Sequence, residues 1–116
     1  MKKIAALFLL GIFLTPAWAA DPSQLHAQAG KDMATAREIM SQAKEMVVQS
    51  PTTENMRAAI SLYARAGEML ERAANAYQQL LPDHATQQEV DNAQNGIRFC
   101  IASIRDIQQH FPIHHD

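Results

Sequence analysis

Residues 53–81 read TENMRAAISLYARAGEMLERAANAYQQLL, and this stretch decides the fold. Met56, Ala59, Tyr63, Ala66, Leu70, Ala73, Tyr77 and Leu80 recur at alternating spacings of three and four. That alternation lines one face of an α-helix and does not match the two-residue period of a strand. Ile60, Gly67, Ala74 and Leu81 form a second apolar line beside the first. A face that wide needs more than one neighbour, so this helix is predicted to contact both of the others. Thr52 or Thr53 can supply the N-cap oxygen, and Glu54 suits the positive end of the helix dipole.

The pattern continues on both sides. Upstream, residues 23–49 carry Ala29, Met33, Ala36, Met40, Ala43 and Val47 as a core stripe, widened by Leu25, Ile39 and Met46. Ser50-Pro51 ends this helix, because proline disfavours helical backbone in the residue before it. Downstream of Pro82-Asp83, residues 86–111 carry Val90, Ala93, Ile97, Cys100, Ile104, Ile107 and Phe111. Thr86-Gln87-Gln88-Glu89 fits a capping box, in which the hydroxyl and the carboxylate each satisfy one orphan backbone donor. Asn95-Gly96 is a turn signal, but the stripe keeps phase from Ala93 to Ile97, so one continuous helix is predicted. The mid-helix glycine costs about 1 kcal/mol relative to alanine, which an apolar stripe can offset. Short links force neighbouring helices to run antiparallel. The expected architecture is all-α: an antiparallel up-down-up three-helix bundle with heptad-like packing.

The N-terminus reads differently. Met1-Lys2-Lys3 precedes an apolar run over residues 4–14, followed by Thr15-Pro16-Ala17-Trp18-Ala19-Ala20. A charged start, a short apolar middle and a small-residue exit are the layout of a cleavable signal peptide. Ala17 and Ala19 fit the A-x-A rule, which places cleavage after Ala19. The apolar run is shorter than the roughly 20 residues that span a bilayer. The only Cys is Cys100, so lipid attachment at the cleavage site is excluded. The expected organisation is a signal peptide at 1–19 and a single helical domain at 20–116, located in the periplasm. Lys2 and Lys3 leave with the signal peptide, which moves the net charge from −2 to −4. No clustered basic surface for nucleic acid remains, and the charge disfavours anionic lipid. A single cysteine cannot close an intrachain disulfide, so helix packing or association must stabilise the domain.

Candidate chemistry is sparse. There is no glycine-rich phosphate loop, His-Glu-x-x-His pair or nucleophile elbow, so the chain is not expected to be an enzyme. Glu68, Glu71 and Asp106 lie among Arg65, Arg72 and Arg105, as on a solvated face with weak ion pairs. Two soft-ligand groups stand out. Met40, Met69 and Cys100 fall at a similar height in the bundle, and so do Met46, Met56 and His110 near the other end. Soft ligands suit Cu(I). Met and Cys are equally at home as gap-fillers in an apolar core. His114 and His115 sit in a terminal stretch that can bind a divalent transition metal loosely, or simply be solvated. His26 and His84 belong to one end of the bundle and the other three histidines to the opposite end. No resident cofactor is expected, with copper as the candidate metal, and Met and His could also serve as axial ligands to haem.

Association leaves a stronger trace. Phe99 lies off the core stripe of the third helix, with Gly96 and Ser103 one turn away on either side. An exposed aromatic flanked by small residues makes a shallow groove with an anchor, a surface another helix could use. The alternative is that Phe99 folds back over the core margin. The expected function is a protein-binding accessory module of an envelope, secretion or conjugation system. Its partner would be an envelope protein, a second copy of the chain, or both. The alternative is a periplasmic copper or haem carrier.

Overall fold

A computed structural model of the chain describes residues 21–110. Residues 1–19, read from the sequence as a signal peptide, lie outside the described residues, as do Phe111, His114 and His115. Three helices account for nearly all of the rest: α1 (Pro22–Gln49), α2 (Thr53–Gln79) and α3 (Gln87–His110). Among the described residues there is no strand, and no helix is long and apolar enough to cross a membrane.

Each start is set by a side chain. Asp21 accepts from the Ser23 backbone N–H at 3.2 Å, with Pro22 at the first helical position. Proline costs nothing there, since its missing N–H would have had no partner in the helix. Thr52 is the N-cap of α2, its hydroxyl accepting from Asn55 N–H at 3.1 Å. Both arms of the capping box form before α3. The Thr86 N–H donates to Glu89 Oε1 at 3.0 Å, and the Glu89 N–H donates to Thr86 Oγ1 at 3.2 Å. The sequence reading placed the end of α2 two residues later than Gln79. Leu80 and Leu81 instead enter a turn, with Leu80 N–H bonded to Ala76 O and Tyr77 O. Leu80 stays buried all the same. α3 runs unbroken through Asn95-Gly96.

The order is antiparallel from one helix to the next. Arg72, late in α2, pairs with Asp32, early in α1, at 3.3 Å. At the other end, Asn55 Nδ2 donates to Met46 O at 3.4 Å. α2 packs closely along both neighbours, whereas α1 and α3 approach one another only weakly. All seven stripe residues within α2 are buried, as are Leu80 in the turn after it and Val90, Ala93, Cys100 and Ile107 of α3. Many of the buried positions are alanines: Ala29, Ala36, Ala43, Ala59, Ala66, Ala73 and Ala93. Small side chains let backbones come close, and alanine loses no side-chain entropy on burial.

The stripe of α1 is rotated from its predicted phase. Ala29, Asp32, Ala36, Ile39 and Ala43 are its buried residues, while Met33, Met40 and Val47 are partly exposed. The cause is Asp32, a charged residue that an apolar count passes over. Its side chain is only 10% exposed. It accepts from Arg72 and, at 3.4 Å, from Gln28 Nε2. Once Asp32 is counted on the inner face, the spacings of three and four close on Ile39 rather than on Met40.

Candidate functional site

The weak approach of α1 to α3 leaves a groove between them. At one end the two helices are tied, with His26 Nε2 and Glu89 Oε2 at 2.7 Å. His26 also lies edge-on to Tyr77, ring centres 5.3 Å apart. Away from that tie the helices bound an open furrow. Its first section is walled by Arg37, Met40, Ser41 and Lys44 of α1 and by Gly96 and Phe99 of α3. Its second is walled by Lys44, Val47 and Val48 and by Ser103, Asp106 and Ile107. Tyr63 of α2 lines both sections and forms the floor.

Tyr63 is the residue that organises the groove, and the sequence marks it only as one stripe position among eight. It is 4% exposed. Its hydroxyl shares a hydrogen bond with the Ser103 side chain. Its ring meets Phe99 edge to face, centres 6.2 Å apart at 71°, an arrangement that aligns a positive ring edge with a negative ring face. Burial raises the phenol above its ordinary value, the Ser103 bond opposes that rise, and Cys100 adds slightly to it. The phenol is therefore a neutral hydrogen-bonding group at physiological pH.

The three residues singled out for association come together around this ring. Phe99 covers one edge of Tyr63 yet remains 53% exposed, so it both caps the core margin and faces solvent. Ser103 anchors the hydroxyl, and Gly96 lines the groove next to Phe99. Gly96 also has a packing role. A β-carbon built on it would lie 2.9 Å from Leu70 Cδ1, so its absence lets α3 settle on α2. Val48, 71% exposed, extends the apolar rim on the α1 side.

The soft-ligand candidates are distributed differently. Cys100 is buried against Gly67, whose β-carbon position lies 3.8 Å from Cys100 Cβ. Burial pushes its thiol above the ordinary value, which disfavours the thiolate that binds metals and reacts. Met40 lines the groove, and Met69 packs partly buried against the main core. Gly67 and Met69 are two residues apart, about 200° around the helix, so Met69 leaves α2 on the flank away from Cys100. Met56 is fully buried and Met46 partly so, while His110 Nδ1 is held by Asp106 of its own helix at 3.0 Å. His26 and His84 line one pocket at the tied end, with Pro22 and Ser23. Among the described residues, no three His, Cys, Asp or Glu side chains are grouped to hold a metal ion. The geometry offers an apolar, partly basic furrow with an exposed aromatic side chain. No family model, curated protein or solved structure matches the chain.

Proposed function

We propose that the chain is an exported accessory module that works by protein contact through the groove between α1 and α3. The observation that carries this reading is Phe99. A large aromatic side chain left half in solvent, on a floor made by a buried tyrosine and beside a glycine, has the form of an interface anchor. Arg37 and Lys44 on the α1 rim would add a charge preference at the margin, where such residues govern specificity and on-rate more than affinity. Export rests on residues 1–19 and places the module in the periplasm, in an envelope, secretion or conjugation assembly. The copper or haem carrier is the competing reading. Its support is that Met40 and Cys100 belong to one core cluster, and the protonated, buried thiol weighs against it.

The test is a photo-crosslinking residue placed at position 99 in cells that express the full chain. The expected outcome is an exported species with the mass of residues 20–116 that forms discrete protein adducts on illumination. A crosslinker at Gln108, which is exposed and lines neither section of the groove, should form none. Absence of adducts at position 99, or retention of residues 1–19 on a cytoplasmic product, would overturn the proposal.

A further inference from the structure

We infer that the α1–α3 groove closes on a second copy of this chain, the two copies meeting face to face about a twofold axis parallel to the helices. This rests on the reading of the groove as a docking surface and names its occupant. The basis is the arrangement of charge on the two rims. α1 and α3 run in the same direction, since His26 stands beside Glu89 at one end and Lys44 shares a groove section with Asp106 further on. The α1 rim carries Arg37 and Lys44, and the α3 rim carries Phe99 and Asp106 at matching heights. Lys44 has no hydrogen bond or ion pair among the described residues. Asp106 is well exposed and, among the described residues, engages only His110 of its own helix, and a carboxylate has acceptor sites to spare.

A twofold contact presents the same patch from both sides, so the patch must complement itself. Two axes bring groove onto groove. An axis across the helices lays α1 antiparallel on the α1 of the other copy and sets Arg37 against Lys44, like charge on like. An axis along the helices sets α1 opposite the other copy's α3 at the same height. Lys44 then faces Asp106 of the second copy, twice over. Phe99 of each copy falls beside Met40 and Arg37 of the other, where thioether–aromatic and cation–π contacts are both favourable. Gly96 and Ser41 leave room for that ring. The second arrangement satisfies the charges and covers the exposed aromatic. An acidic amphipathic helix of another protein could also use the basic rim, but it would bring like charge up to Asp106 on the facing rim.

Sedimentation of the purified chain over a concentration series, with Lys44→Glu and Asp106→Lys variants, tests this. The wild type is expected to dimerise, and each reversal to raise the dimer dissociation constant about tenfold or more. Mixing the two variants should restore association, because each of the two cross-copy pairs is then again of opposite sign. A charge pair that acted only within one chain would gain nothing from mixing. Phe99→Ala should weaken the dimer comparably, with helical circular dichroism unchanged. A wild type monomeric throughout the series would overturn the inference, as would a dimer indifferent to the reversals or variants that mixing fails to rescue. If the chain is monomeric while position 99 still crosslinks to an envelope protein, the docking reading stands and only the self-association fails.

Discussion

Gly96 and Leu70 touch so closely that a single methyl group on the glycine would overlap the leucine. The β-carbon position on Gly96 lies 2.9 Å from Leu70 Cδ1 and 3.2 Å from Cδ2, and Leu70 is 2% exposed. A buried leucine has little room to swing aside, because interiors are packed as densely as molecular crystals. Gly67, on the facing helix, has only an ordinary contact at 3.8 Å, and Gly30 has open space around its β-carbon position.

The same substitution should therefore act in opposite directions at these sites. Gly67→Ala and Gly30→Ala are each expected to stabilise by up to about 1 kcal/mol, the helix-propensity difference. Gly96→Ala carries the same gain against an overpacking cost of about 1–3 kcal/mol, so it should be neutral to destabilising. Urea melts of the three variants check this. A Gly96→Ala protein more stable than Gly67→Ala would show that the α2–α3 seam has slack.

How much of this was legible in sequence depends on which residues carried the signal. The α2 stripe reads correctly at every position because Met56 through Leu80 are apolar or aromatic and keep strict phase. The Thr86–Glu89 box reads correctly because its two hydrogen bonds are local, as does the unbroken path of α3 across Gly96. In α1 the reading holds at Ala29, Ala36 and Ala43 but sets Met33 and Met40 where Asp32 and Ile39 are the buried residues, because Asp32 faces inward and its partner Arg72 lies 40 residues away. No local pattern announces that. Likewise Phe99, Gly96 and Ser103 can be picked out one turn apart on α3. That they converge on Tyr63 of α2 depends on how the two helices meet, which periodicity does not encode.

Asp32 and Arg72 should respond asymmetrically to mutation. The carboxylate is buried while the guanidinium is two-thirds exposed, so the pair is screened and worth little as an ion pair. Arg72→Ala is expected to cost about 1 kcal/mol, chiefly by leaving a buried acceptor less satisfied. Asp32→Leu removes the desolvated group and completes the apolar run of Ala29, Ala36, Ile39 and Ala43, so it should be neutral or stabilising. Chemical denaturation of both variants measures this. A large loss in Asp32→Leu would mean that the carboxylate fixes the register of α1 on α2.

Acid should weaken the tied end of the bundle first. The Glu89 carboxyl is held below its ordinary value of 4.5, mainly by the Thr86 backbone N–H, which outweighs the opposing effect of burial, with His26 and the Thr86 hydroxyl adding to the depression. A depressed folded value means that the folded state prefers the ionised form. The resulting stability is fully present above the unfolded value. It declines as pH falls below 4.5 and is gone once pH has passed through the lower folded value. Thermal melts taken from neutral to acidic pH should show this loss, and Glu89→Gln should flatten it while lowering stability at neutral pH. An unchanged acid limb in Glu89→Gln would assign the dependence to other carboxylates.

Cys100 should behave as a core residue even under oxidising conditions. It is 2% exposed, it packs against the backbone of Gly67, and burial raises its thiol above the ordinary value. The thiolate is the species that attacks disulfides and binds Cu(I), and here both its formation and its access are suppressed. The native protein is therefore expected to react with an aromatic disulfide reagent orders of magnitude more slowly than the urea-unfolded chain. It should also run without an intermolecular disulfide on a non-reducing gel. Cys100→Ala should cost about 1 kcal/mol from lost apolar burial, with no change in native mass. The copper-carrier reading makes the opposite forecast for the same protein: competition with a weak Cu(I) chelator, lost in Met40→Leu or Cys100→Ala. Rapid thiol reaction in the folded state, or copper uptake that depends on both residues, would show that the α2–α3 seam opens at Gly67 and would return Cys100 to the list of working groups.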